Sequence, residues 1–480
     1  MKRQHTILLL LACGLVLFLA GGCSILTAYP KQMAGVQASF VNGDYQGAAE
    51  ALKKMSPAER DRLCHLCELG TVYHTMGDYS ASNTAFLQAV RMAKGFDQRA
   101  AVSMRDSAAF AGALLLNDKA IPYRGSPFER VLLHTYLAMN FIMQKNLEDA
   151  RVEILQAYAK QKELREEHEK RIARTKQEAA KKKVNTTALL NKVRNQYNDQ
   201  RSLLKKAGNV YQNAFTYYLS TIVYEMGGEI DDAYIDAKTV YKLNPNFLPV
   251  RRDLLRYARK LGDRSDYNMW REKFGAELQE GLPKGHGEVV LLYQCGQSPA
   301  KEEIKFTFPI PVNNRVSIVT LAMPKYRRRP DPVRAAKLFA NGKNLGVSQA
   351  LMDVEATAVR DLWDQAVEIA FRQAVRAAGR VAAQEAARRQ SGGQWAFLAV
   401  VIVGHILEQA DLRSWLALPR DFQILRVPVP AGTHRFDMDL LASGPIGRVT
   451  LDKVPVREAG TTIINLRSVG RNGTAQYVAF

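Results

Sequence analysis

An α+β chain is expected: an N-terminal α-solenoid of stacked helix pairs with a long charged helical insertion, then a C-terminal β-sandwich-like domain interrupted by a helical hairpin. Three observations predict it. A Gly-Asp-Tyr turn recurs at a spacing of 34 residues, at Gly43-Asp44-Tyr45 and Gly77-Asp78-Tyr79. A run dense in Lys, Arg, Glu and Gln, about 161–206, separates two later turns. After Gly281-Leu282-Pro283, short β-branched and aromatic stretches are bounded by Gly, Pro and Asn, as strands are. The boundaries that follow are a leader at 1–22, helical repeats over 23–280 with the insertion at 161–206, and a β-rich domain over 281–480 with a helical insertion at 353–411.

The leader has the layout of a secretory signal. Lys2 and Arg3 precede an almost unbroken apolar stretch, Ile7 to Phe18, and Leu19-Ala20-Gly21-Gly22 leads into Cys23. That ending resembles a bacterial lipobox, although Ala20 holds the place three before the cysteine where leucine is usual. The resemblance implies cleavage before Cys23, lipid on its sulfur and acylation of the new N-terminus. One acyl chain holds a protein only marginally on a bilayer, whereas two or more hold it stably. Cys13 is a poor rival, because the apolar run before it is too short. Ser24, rather than aspartate, follows the cysteine, which by resemblance to Gram-negative lipoproteins points to the outer membrane, facing the periplasm.

Composition fits a water-soluble body behind that anchor. The 480 residues are 47% hydrophobic and 24% charged, ordinary globular values. The formal net charge is +20, of which Lys2 and Arg3 belong to the leader. In an envelope compartment such a surface has no nucleic acid to meet. Its available anions are lipid headgroups and acidic wall polymers or partner proteins, and a plain self-repelling surface explains the charge equally well.

The repeats come next. Leu69-Gly70, Tyr73, Gly77-Asp78-Tyr79, Phe86 and Ala89 stand where a tetratricopeptide (TPR) helix pair places its small and aromatic residues. Gly43-Asp44-Tyr45 with Ala48 repeats the turn one period earlier. Leu137-Ala138, Phe141, Ala150, Ile154 and Ala157 form a third copy, with its turn at Lys145, 68 residues after Gly77. That distance is two periods, so a degenerate repeat is expected over about 93–127. Tyr217, Tyr224, Gly228, Ala233 and Val240 make a fourth clear copy, ending at Pro245. Small residues let paired helices approach, aromatics fill the gaps between pairs, and no pair buries enough surface alone. Such arrays present a concave face to peptides or partner proteins.

The insertion has few apolar positions: Leu164, Ile172, Leu189, Leu190, Val193 and Leu203. It reads as two polar helices turning near Val184 to Thr187, and as a solvated charged arm. In the second half, strands are expected at Glu288–Tyr293, Ile304–Phe308, Arg315–Ala322, Gln423–Val429, Thr433–Leu440, Arg448–Val454 and Thr461–Val469. Asp353 to Arg389 is Ala-, Arg- and Gln-rich and strongly helical. Trp395 to Leu407 is almost wholly apolar yet shorter than the roughly 20 residues a span needs, and is expected to be a buried helix. Lys325 to Arg329 holds four basic side chains in a proline-bounded loop, an anion-contacting patch or a solvated loop.

Candidate chemistry is sparse. Cys64-His65-Leu66-Cys67 is a CxxC without the βαβ surroundings of a redox motif, and without a second ligand cluster for a metal. Both cysteines are expected to fill a helix interface, as buried cysteines do. There is no phosphate loop, no HExxH and no Gly-x-Ser-x-Gly. His134 and His434 stand alone. Asp411, Arg413 and Trp415 form the best polar–aromatic cluster, expected as a structural ion pair and a core tryptophan. No catalytic, metal or cofactor-binding residue is therefore assigned, and Cys23 is the one site residue.

Leu66 to Phe86, Leu133 to Asn140, Asp149 to Glu153 and Gly287 to Tyr293 together resemble one family, and Ala410 to Trp415, Leu418-Pro419 and Val429 to His434 extend the likeness. It is a family of bacterial TPR-containing lipoproteins without an established activity, often encoded near lipoproteins that activate penicillin-binding proteins. The resemblance implies a membrane-anchored periplasmic scaffold or adaptor in cell-envelope assembly, with envelope proteins as partners and no cofactor. The alternative class is a cell-wall glycan-binding protein or hydrolase with its site in the β domain.

Overall fold

The computed structural model describes residues 27–105, 121–181, 186–207, 210, 212–275, 278, 281–312, 315–388 and 409–480. Cys23, with the whole leader, and the apolar run 395–407 lie outside the described residues. The helices are α1 (Tyr29–Gln32), α2 (Ala34–Val41), α3 (Tyr45–Lys54), α4 (Arg62–Met76), α5 (Tyr79–Arg105), α6 (Pro127–Met143), α7 (Leu147–Lys181), α8 (Thr186–Gln196), α9 (Arg201–Lys206), α10 (Ala214–Met226), α11 (Ile230–Leu243), α12 (Leu248–Lys260), α13 (Arg264–Phe274) and α14 (Val354–Arg388). A TPR-like helical region fills the first half, and a separate sheet region follows.

Five of these helix pairs, α2/α3, α4/α5, α6/α7, α10/α11 and α12/α13, turn in the same way. The turn residue is left-handed each time: Gly43 (φ 79°), Gly77 (83°), Lys145 (61°), Gly228 (81°) and Gly262 (70°). In four pairs the next residue caps the second helix. Its oxygen accepts a backbone N–H three residues on: Asp44 from Gly47 (2.8 Å), Asp78 from Ala81 (3.0 Å), Asn146 from Asp149 (3.1 Å) and Asp263 from Asp266 (2.9 Å). The α12/α13 pair has the period too, since Gly262 follows Gly228 by 34 residues. The reason for glycine at position 70 is contact: a Cβ there would lie 2.5 Å from the Phe86 ring.

Two expectations are corrected. Among the described residues no repeat pair stands between α5 and α6, and residues 106–120 of the stretch expected to hold one lie outside the described residues. The α4/α5 pair packs directly on α6, where Asn140 bonds His74, Ser82 and Asn83 at 2.6–2.8 Å. Where that repeat was expected to begin, α5 runs on unbroken to Arg105. The charged insertion is also not a solvated arm throughout. Leu189, Val193, Tyr197 and Leu203 are buried, and α8 and α9 pack on α14. Tyr197 donates to the Pro324 carbonyl (2.5 Å) and meets Trp363 edge-on. Four apolar residues at helical spacing suffice when the partner helix is Ala-rich and lets them approach.

The strands are β1 (His286–Cys295), β2 (Ala300–Val312), β3 (Arg315–Arg327), β4 (Ala335–Ala340), β5 (Lys343–Val347), β6 (Gln349–Asp353), β7 (Asp421–Pro430), β8 (Gly432–Leu441), β9 (Pro445–Val456), β10 (Thr461–Val469) and β11 (Asn472–Ala479). One sheet has the order β11-β10-β1-β7-β6, a second β5-β4-β8-β9, and β2-β3 is a separate ribbon. β1 pairs in parallel with β10 and antiparallel with β7. Side chains alternate along a strand, and β1 uses both faces. Val289, Leu291, Tyr293 and Cys295 share a core with Leu338, Phe436 and Met438 of the second sheet. Val290 and Leu292 face the other way, into the core built with the helix pairs.

Candidate functional site

The first helices of the pairs, α4, α6, α10 and α12, face inward, where arrays of this type ordinarily hold a peptide. Here the chain holds itself. The irregular segment Asp411–Pro419, between α14 and β7, lies against α4 and α6. The Trp415 indole donates to the Thr71 hydroxyl (2.8 Å) and its ring sits 5.4–5.6 Å from those of Tyr136 and Phe86. The backbone of the segment is gripped by two buried glutamate side chains. Glu68 accepts from the amides of Leu416 (2.5 Å) and Ala417 (2.8 Å), and Glu129 accepts from Trp415 (2.8 Å). Cys64 donates its thiol to the Ser414 carbonyl (3.2 Å). Arg413 pairs with Asp411 (2.8 Å) and Asp61 (3.0 Å) and donates to the carbonyls of Arg60 and Ile121. Burial pushes the Glu68 carboxyl up to about 8, although the two amides pull it the other way.

Beside this segment a polar seam ties the helices to the sheet. The Gln294 amide and the Asn465 amide both reach His74 Nε2 (2.8 and 3.0 Å), and Tyr136 donates to Gln294 (2.7 Å). Burial lowers His74 to about 4, so it stays neutral and accepts. Two repeat turns dock on β11: Asn472 donates to the Val41 carbonyl beside Gly43, and Gln476 lies against Gly77. At the other end of the array Arg426 of β7 joins Asp253 (3.3 Å), Glu225 (2.5 Å) and Glu288. Burial alone would raise Glu225, but Arg426 and Arg256 hold it down to about 2. Glu225 and Glu288 of this cluster line an open cleft of about 590 Å³ between α10, α12 and the start of β10, with Arg256, Arg259 and Lys260 on one wall.

Of the residues singled out from sequence, Asp411, Arg413 and Trp415 come together as structural elements of this inner face. Cys64 and Cys67 are free and buried in the helical core. His134 pairs with Glu153 inside the helical region (2.7 Å). His434 is on the sheet surface, bonded to the Pro430 carbonyl (2.8 Å). The expected basic loop is in part the end of β3, which runs to Arg327, and it is largely spent on internal contacts: Lys325 on Asp199, Arg328 on Glu355, and Arg329 on the Ser298 carbonyl. Among the described residues no group of three or more His, Cys, Asp or Glu is placed to hold a metal. Sequence reasoning missed Glu68, Glu129, Gln294, Asn465 and Arg426. Their one signal is a polar residue on the apolar face of a helix or strand.

No family model and no curated protein matches this sequence. Among solved structures, a crystal structure of MamA is 16% identical, with half of this chain against 91% of that one and a TM-score of 0.29. A Podosopora anserina protein of nearly identical TPR-like repeats is 14% identical over 50% of this chain and 90% of its own, at 0.27. BtubC from P. vanneervenii is 12% identical over 50% and 74%, at 0.26. The TPR-like assignment rests on the chain's own turn spacing and caps.

Proposed function

We propose that this protein is a periplasm-facing envelope lipoprotein, anchored through Cys23 in the outer membrane, that serves as a protein–protein interaction scaffold in envelope assembly. One observation carries the scaffold reading: the helix pairs grip an extended stretch of polypeptide by its backbone amides, the task for which such arrays are built. The leader ending at Gly22-Cys23 supports the anchor. On this reading the stacked pairs form one solenoid and the two sheets that share the Tyr293 core form one sandwich. With the inner face closed, partners meet the outer helices and the sheet region, and the chain carries no catalysis of its own.

The glycan-binding or hydrolase alternative would use the charged cleft. Its carboxylates, Glu225 and Glu288, are both shared with Arg426, which disfavours a poised acid–base pair. Two measurements test the proposal. Mass spectrometry of the mature N-terminus should find acyl chains on Cys23, and Cys23→Ala should release the protein from membranes. Crosslinking in intact envelopes should recover the same proteins with wild type and with Glu288→Gln. Retention of the whole chain on purified wall sacculi, lost in Glu288→Gln, would favour the alternative.

A further inference from the structure

Towards its tip the β2–β3 ribbon is buried on one face only. Phe306, Phe308, Val319, Leu321 and Met323 belong to the main core, under α14. The other face is open, and near the tip it carries Val316 and Ile318, 75% and 76% exposed, the most exposed large apolar side chains among the described residues. Pro309, paired with Ile318, is exposed beside them.

The course of the chain says what that tip faces. α14 runs along β3 towards the tip, since Glu355 pairs with Arg328 and Gln373 bonds the Ala322 carbonyl. From Gln373 to Arg388 is about 22 Å of helix, and from Ala322 to Val316 about 20 Å of strand. The chain therefore leaves α14 level with the tip, and it re-enters at the ribbon's base, where the Ala410 amide bonds Glu303 (2.7 Å). Two other stretches rejoin the body at that base. Arg413 bonds the Ile121 carbonyl, and Tyr29 lies beside Cys64, whose thiol bonds Ser414. Cys23, the anchor of the proposed reading, stands six residues before Tyr29, and the sequences before the other two entry points, Ala108 to Leu116 and Trp395 to Leu407, are nearly free of polar residues. No described helix is long and apolar enough to cross a membrane. An apolar patch of this kind marks an interaction surface, and an anchor position and two apolar sequences that join the described body beside this ribbon fit a lipid surface better than a protein groove.

We propose that the ribbon tip, Pro309, Val316 and Ile318, rests in the interfacial layer of the bilayer, so that this edge of the body is its membrane-facing side. The proposal rests on the reading of a membrane-tethered body, deepens it by naming the contact, and is tested without the anchor. The chain from residue 23 onward, carrying Cys23→Ser, is mixed with vesicles of zwitterionic lipid and with vesicles containing anionic lipid. It should co-sediment with one or both, and Val316→Ser with Ile318→Ser should weaken that binding roughly tenfold or more without changing the thermal melt. A dye on Ile318→Cys should be quenched by nitroxide-labelled lipid, while a dye on Ile235→Cys of α11 (59% exposed) should not. Absence of vesicle binding overturns the proposal. So does binding that survives the double substitution, or a bound protein whose dye at 318 stays unquenched. A dye signal at 318 that depends on protein concentration without vesicles overturns it in favour of a second copy of the chain. The lipoprotein reading is judged separately, by the acyl mass on Cys23.

Discussion

Replacing Glu68 by alanine should loosen the segment that closes the inner face. Its two oxygens are the acceptors of the Leu416 and Ala417 amides, at 2.5 and 2.8 Å, in a site without exposed surface. A buried N–H left without a partner costs about 1–3 kcal/mol, so Glu68→Ala should destabilise by roughly 2–6 kcal/mol. Glu68→Gln keeps one acceptor oxygen and turns an NH₂ towards the second amide, so it should cost about half as much. The pH dependence provides an independent reading. Glu68 titrates near 8 in the folded chain against 4.5 when unperturbed. Its folded pKa is raised, so the stability it confers is complete below about 4.5 and is lost as pH rises towards 8. At 1.36 kcal/mol per unit this amounts to roughly 5 kcal/mol at most, and Glu68→Gln should abolish that part of the slope. Urea unfolding between pH 5 and 8 measures both effects, and hydrogen exchange on peptides spanning 411–419 localises them. A Glu68→Ala protein within about 0.5 kcal/mol of wild type, with unchanged exchange in that segment, would refute the grip.

Three further outcomes follow from the packing. Gly70→Ala places a methyl 2.5 Å from Phe86 and should cost about 1–3 kcal/mol by overpacking, read as a lowered urea midpoint with an unchanged slope. Lys145→Gly gives the third turn the residue that the other four have at positive φ, and should stabilise by about 1 kcal/mol, seen as a raised Tm. Tyr197→Ala removes a buried ring and its bond to Pro324; it should cost about 3–5 kcal/mol and expose the 161–206 region to limited proteolysis.

The turns were the legible part of this fold. Gly43, Gly77, Lys145 and Gly228 could each be read as a turn because a left-handed residue between two helices is a local requirement. Gly262-Asp263 carries the same signal one period after Gly228, flanked by Tyr257, Ala258, Tyr267 and Trp270, but Pro245 reads as the end of the array. Distance counting misled between Gly77 and Lys145, since period arithmetic cannot tell a lost repeat from a helix that continues to Arg105. Seven strands were legible from alternation. β4, β5, β6 and β11, short or polar at their edges, were not. The inner-face closure was illegible for a different reason. Asp411–Pro419 has no periodicity, and Glu68 and Leu416 are 348 residues apart in the chain. Only the buried environment of Trp415 could be anticipated, as a core residue without a known neighbour.

Site-specific photocrosslinking in intact envelopes tests the central claim most directly, that this is a scaffold whose inner face is filled by its own chain. A photoreactive residue replacing Ile235 on outer helix α11 should capture partner proteins, whereas one replacing Thr71, against Trp415, should yield only a crosslink within the chain. Capture of a partner from position 71, with the internal crosslink lost, would show that the inner face opens to bind in trans and would contradict the account.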